Sequence, residues 1–117
     1  MRGIFLKSDK TTSQDLSLGA LSYTTNYGKR FKLEEVIFHF SQAVSETVTI
    51  TLISKNGTNY NTVLQKVTLV SETDLVWRPQ GEANYQTGDQ IKVQCTNANG
   101  IGSVYVTIKT SELGGGG

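Results

Sequence analysis

His39, Cys95 and the adjacent pair Glu34 and Glu35 are the side chains best suited to chemistry in this chain of 117 residues. His39, the sole histidine, lies between Phe38 and Phe40. On an extended strand its ring faces away from theirs, toward solvent or a partner. A general base also needs a nucleophile and an orienting carboxylate within reach, and the neighbouring sequence names neither. Cys95, the sole cysteine, shares a strand face with Ile91 and Val93, where a thiol packs as a small apolar group. Two acids across a cleft would suit glycoside hydrolysis. Glu34 and Glu35, however, point to opposite faces of a strand unless a bulge unites them, and Lys32 beside them reads as ordinary surface charge.

The counts exclude more than they offer. One cysteine forbids an internal disulfide and a thiolate-rich zinc site, and one histidine leaves a three-histidine centre or a Ser-His-Asp triad with a single candidate. Asp74 and Asp89 lack the spacing of a calcium loop. Gly100-Ile101-Gly102 has no third glycine and leads into a strand, so it reads as a hairpin and not as a phosphate loop. No catalytic residue, metal or cofactor is expected, and the chain is read as non-enzymatic.

Binding chemistry is better represented. Trp77, Tyr60 and Tyr85, with Asn59, Asn61 and Asn84 nearby, are the residue types that stack on sugar rings and hydrogen-bond their hydroxyls. Against this, Trp77 follows Leu75-Val76 in an apolar run, where a lone Trp usually fills a core. Lys29-Arg30-Phe31-Lys32, beside Tyr23 and Tyr27, could touch nucleic acid or an acidic protein surface. With 11 basic and 10 acidic residues the net charge is +1, so no nucleic-acid partner is expected, since such affinity comes mostly from neutralised phosphates. Protein contact remains, with Arg2, Phe5, Lys29 and Arg30 as candidate anchors and residues 80–87 as a second docking segment.

The elements that position these residues are strands. Val48, Ile50 and Leu52 alternate with threonines; Ile91, Val93 and Cys95 alternate likewise, as do Val104, Val106 and Ile108. From Phe31 to Phe40 the apolar parity switches, from Phe31 and Leu33 to Val36, Phe38 and Phe40, which predicts a bulge near Glu34 and Glu35. Residues 60–70 and 74–78 read as two further strands, the latter stopped by the only proline, Pro79. Asn56-Gly57, Gly88-Asp89 and Asn97 to Gly100 supply turns, and no segment carries helical periodicity. The pattern predicts an all-β antiparallel sandwich, immunoglobulin-like or jelly-roll, of about seven or eight strands.

Residues 31–110 form this body. Residues 1–30 read as a basic N-terminal arm, because 7–15 and 24–30 are polar and irregular; Leu16, Leu18 and Ala20 could add one strand. Residues 111–117 read as a glycine-rich flexible tail. Ile4-Phe5-Leu6 is too short for the apolar core of a signal peptide, and no run approaches the ~20 apolar residues of a membrane span, so neither secretion nor a membrane partner is expected.

Over residues 31–110 the chain resembles small β-sandwich structural proteins of tailed bacteriophages. The likeness is carried by Val48 to Leu52, Tyr60 to Leu64, Asp74-Leu75-Val76-Trp77-Arg78-Pro79, Gly88 to Val93 and Val104 to Ile108, in that order. It implies a non-enzymatic virion component of the head decoration, fibre base or tail accessory kind, and no catalytic residue. The partners it implies are a major capsid protein or neighbouring virion subunits, with self-association in the assembly. The alternative is a carbohydrate-binding or adhesion module using Trp77, Tyr60 and Tyr85.

Overall fold

The computed structural model describes residues 4–81 and 83–114, with side chains from residue 7 to residue 112 outside Glu82. Nine strands run in chain order: β1 (Ile4–Asp15), β2 (Leu21–Thr24), β3 (Phe31–Val44), β4 (Thr47–Ile53), β5 (Thr62–Thr68), β6 (Glu72–Trp77), β7 (Asn84–Tyr85), β8 (Gln90–Cys95) and β9 (Ser103–Gly114). One sheet has the order β1-β9-β3-β6, with β7 also paired to β3, and the other has the order β2-β8-β4-β5. Every pairing is antiparallel. β4 and β5 are joined as neighbours, β3 pairs β6, β2 pairs β8 and β1 pairs β9. That nesting is one long hairpin wound into two sheets, the jelly-roll member of the two expected alternatives.

The alternating segments do what their period requires. Val48 and Ile50 of β4, Ile91, Val93 and Cys95 of β8, and Val104, Val106 and Ile108 of β9 are all buried, and Phe38 and Phe40 of β3 fill the space between the sheets. The predicted bulge is present: the β3–β9 register shifts between Leu33 and Glu35, which returns Val36 to the inner face. β3 continues past Phe40 to Val44, beyond the expected boundary.

The ends differ from the sequence reading. Residues 7–15, read as an irregular arm, lie within β1, and each of its residues is opposite one of β9. They lack an apolar alternation because β1 is at a sheet edge, where Ser8, Lys10, Thr12 and Gln14 are only half-covered on the inward side. The expected Leu16-to-Ala20 strand is a turn. Asp15 accepts hydrogen bonds from the Ser17 N–H and Oγ, Leu16 is buried, and Leu18 stands 82% exposed. Tyr27 is buried and stacks on Phe31 at 3.9 Å, so 24–30 is welded to the body. Residues 80–87 are not a plain loop, since Asn84 and Tyr85 pair with Lys32 and Phe31. Of the expected tail, Ser111 is buried and Glu112 to Gly114 belong to β9; Gly115 to Gly117 lie outside the described residues.

Two buried carboxylates hold the loops at opposite ends. Glu46 accepts hydrogen bonds from Thr96 Oγ1 and the N–H groups of Ala98 and Asn99, all at 2.8 to 2.9 Å. Asp89 accepts from the N–H groups of Lys55 and Gln86 at 2.9 and 3.0 Å. Each organises a turn whose backbone donors have no strand partner.

Candidate docking face and groove

The outer face of the β1-β9-β3-β6 sheet carries its exposed chemistry in rows set by register. One row places Asp74, His39 and Tyr105 side by side, the next Val76, Ile37 and Thr107, and the third Glu35 beside Lys109. Val76 is 51% and Tyr105 49% exposed, and Ile37 is half-buried between their strands. Tyr105 is diagonal to Ile37, so these three make an apolar patch across two rows, with His39 Nδ1 2.6 Å from Asp74 Oδ1 in the row of Tyr105 and the Arg78 Nη2–Glu35 Oε1 ion pair at 2.7 Å on the other side. Nearer the start of β1, Glu34 Oε2 accepts from Lys7 Nζ at 2.9 Å and from Ser111 Oγ at 2.8 Å.

These contacts set the protonation of the acids. The hydrogen bond from His39, and then that from Thr73, holds the Asp74 carboxyl below the usual carboxylate range. Lys7 and Ser111 do the same for Glu34. Burial pushes the Cys95 thiol up to about 12, with the Glu46 charge adding to it.

The sequence-derived candidates separate accordingly. Asp74 supplies His39 with the carboxylate a general base would need, but both side chains are more than half exposed, and the neighbouring ring is that of Tyr105 at 6.3 Å. That is the geometry of a surface ion pair. The bulge brings Glu34 and Glu35 no common substrate, because Glu34 is bound to Lys7 and Glu35 to Arg78. Asp74 and Asp89 do not converge: one binds His39 and Thr73, the other backbone N–H groups. Among the described residues no group of three or more His, Cys, Asp or Glu could hold a metal ion.

Of the basic anchors, Arg2 lies outside the described residues. Phe5 is opposite Leu113, and Lys29 and Arg30 are exposed just before Phe31, which is opposite Glu112. Three of the four therefore gather at one end of the same sheet. Of the aromatic candidates, Trp77 and Tyr85 line an open groove of about 300 Å³ with Leu64, Pro79, Gln80 and Asn84. Trp77 is half-buried and packs against the edge of the core without filling it, and Val76 beside it is exposed, so the burial expected of this run is met only in part. Tyr60, 64% exposed in a single turn of 3-10 helix, does not line that groove. The Val76–Ile37–Tyr105 patch went unread because it is a product of cross-strand register, which no single segment encodes; the strand parities of Ile37 and Tyr105 were its only signal.

No protein-family model matches this sequence, and no curated protein matches it. Solved structures do resemble it. The Drosophila NLP-core, whose structure concerns pentamer formation and histone binding in that protein, aligns at 10% identity and a TM-score of 0.43, over 87% of this chain and 96% of its own. PirA aligns at 13% identity and a TM-score of 0.48, over 87% of this chain and 90% of its own. A chain from infectious bursal disease virus Gx strain aligns at 17% identity and a TM-score of 0.44, over 98% of this chain but 32% of that one. None of them transfers a partner or a residue role. Among the described residues, no helix is long and apolar enough to cross a membrane.

Proposed function

We propose that this chain is a non-enzymatic structural protein of a tailed-phage particle, a decoration subunit that docks on the major capsid lattice and stabilises it. The observation that carries this reading is the outer face of the β1-β9-β3-β6 sheet: exposed Val76 and Tyr105 flank half-buried Ile37, with the His39–Asp74 and Arg78–Glu35 pairs beside them. An apolar centre with a polar rim is how protein-binding surfaces are built. Glu46 and Asp89 are occupied by the backbone N–H groups of the chain's own loops. A flat face of modest area binds weakly in one copy, and repetition over a lattice makes such contacts durable. Phe5, Lys29 and Arg30, at one end of the same sheet, would extend that contact.

The groove of Trp77 and Tyr85 supports a second reading, a module that binds cell-surface glycan, with two of its three expected aromatic residues in one place. Jelly-rolls serve both capsids and lectins, so the fold favours neither. Sedimentation of the chain with particles that lack it separates the two. Saturation at a copy number matching the head lattice, with protection against heat, is the expected result. No binding to particles, together with a positive glycan array, would replace the structural reading with the second.

A further inference from the structure

We propose that the open edge of β1 pairs with the same edge of a second copy, antiparallel about a two-fold axis at Thr11, so that one sheet runs through both molecules. Five strands have an open side, and β1, with 12 residues, is far longer than β2, β5, β6 or β7, with 4, 7, 6 and 2. Its register with β9 is unbroken from Ile4 to Asp15, without bulge or proline. Such an edge offers a row of backbone donors and acceptors to another strand, and proteins usually guard it with bulges, prolines or outward lysines. Here the lysines are turned back on their own chain. Lys7 Nζ lies 2.9 Å from Glu34 Oε2, and Lys10 Nζ sits 5.1 Å above the Tyr27 ring.

The sequence of β1 selects its own copy as the occupant. In a continuous sheet, facing residues must lie on the same side, so a two-fold axis passes through a residue and sets it against itself. An axis at Asp9 opposes two aspartates, and one at Lys10 opposes two lysines. An axis at Thr12 sets Asp9 against Asp15, and one at Ser8 sets Leu6 against Lys10. Only an axis at Thr11 in this range avoids every such conflict. Lys7 then faces Asp15 of the second copy, and the reverse, while Ser8 faces Gln14, Asp9 faces Ser13, Lys10 faces Thr12 and the two Thr11 residues meet. Opposite charges and Thr–Thr pairs directly across a ladder are favourable.

The pairing does not rest on the virion reading. Sedimentation of the full chain over a concentration series should show a monomer–dimer equilibrium with a dissociation constant of about micromolar order. Thr11 is exposed, so at concentrations below the dissociation constant Thr11→Lys and Thr11→Glu should keep the parent's melting temperature. Each alone should weaken the dimer by at least about tenfold, and an equimolar mixture of the two should restore it. Facing residues of antiparallel strands are about 4.5–5.5 Å apart, within disulfide range, so Thr11→Cys should cross-link under mild oxidation while Ser22→Cys on β2 should not. A chain that stays monomeric up to about 1 mM overturns the proposal. So do Thr11 variants that dimerise as tightly as the parent, and faster cross-linking by Ser8→Cys overturns the Thr11 axis. Particle binding is scored on the Thr11→Lys monomer, so failure of the dimer and failure of capsid docking remain distinguishable.

Discussion

β1 and β4 are both strands in full antiparallel ladders, yet different forces hold them. β4 sends Val48 and Ile50 into the core, with Cys95 and Val93 of β8 opposite them. The described side chains of β1, from Lys7 to Asp15, are all polar, and none is buried. β4 is a strand because its side chains must leave water; β1 is a strand because β9 offers it a ladder. A region of the first kind should lose stability steeply with side-chain truncation, and one of the second kind should tolerate it.

The core gives the largest contrast. Phe38→Ala, which empties a fully buried ring site between the sheets, should cost about 3–5 kcal/mol in denaturant unfolding. Thr11→Ala on exposed β1 should stay within about 0.5 kcal/mol. If the two were equal, β1 would be bearing core packing that its exposure denies.

The loop carboxylates come next. Glu46→Ala removes the buried acceptor of the part-buried N–H groups of Ala98 and Asn99, for a loss of about 1–3 kcal/mol in the same assay. Glu46→Gln should recover only part of this, since its amide can place an oxygen before one donor but sets an NH2 against the other. A Gln variant as stable as the parent would mean that water replaces these bonds.

These cases show what the sequence made legible. Strand period identified β4, β8 and β9, and a parity switch located the bulge at Glu34, because each is written within one segment. β1 was misread as an arm because an edge strand needs no apolar face, and its partner lies about a hundred residues away. The structural work of Glu46 was equally hidden, since three donors reach it from a loop some 50 positions later. The candidate site divided in the same way: the run of Trp77 foretold its contact with the core but not its partial exposure, and the Val76–Ile37–Tyr105 patch exists only once three strands are aligned.

Thiol reactivity sharpens the comparison without altering stability. With its pKa pushed up to about 12, Cys95 should be about one part in ten thousand thiolate at pH 8. It is also buried, so alkylation should proceed only through unfolding. A cysteine placed at Thr11 should react at least about a hundredfold faster in the folded protein. Equal rates would mean that β8 opens as readily as the edge.

The smallest effect concerns the acids on the outer face. Glu34 and Asp74 titrate below their ordinary values in the folded chain, because Lys7 and His39 respectively donate to their carboxylates. A depressed folded value means that the unfolded chain takes up the proton first. Their contribution is therefore complete above the unfolded carboxylate pKa, near 4, and disappears as pH falls through the lower folded value. Both pairs are solvent-exposed, so the stability slope between pH 5 and 3 should be shallow, and Asp74→Asn should flatten it slightly, the small loss falling at neutral pH and vanishing below the folded pKa. Glu34→Gln should do the same, and by more, because Ser111 holds that carboxylate from a buried position on β9. If Asp74→Asn had the larger effect, the His39 pair would matter to the fold beyond its exposure. The outer face of β3 would then share in stability that this comparison assigns to its inner face.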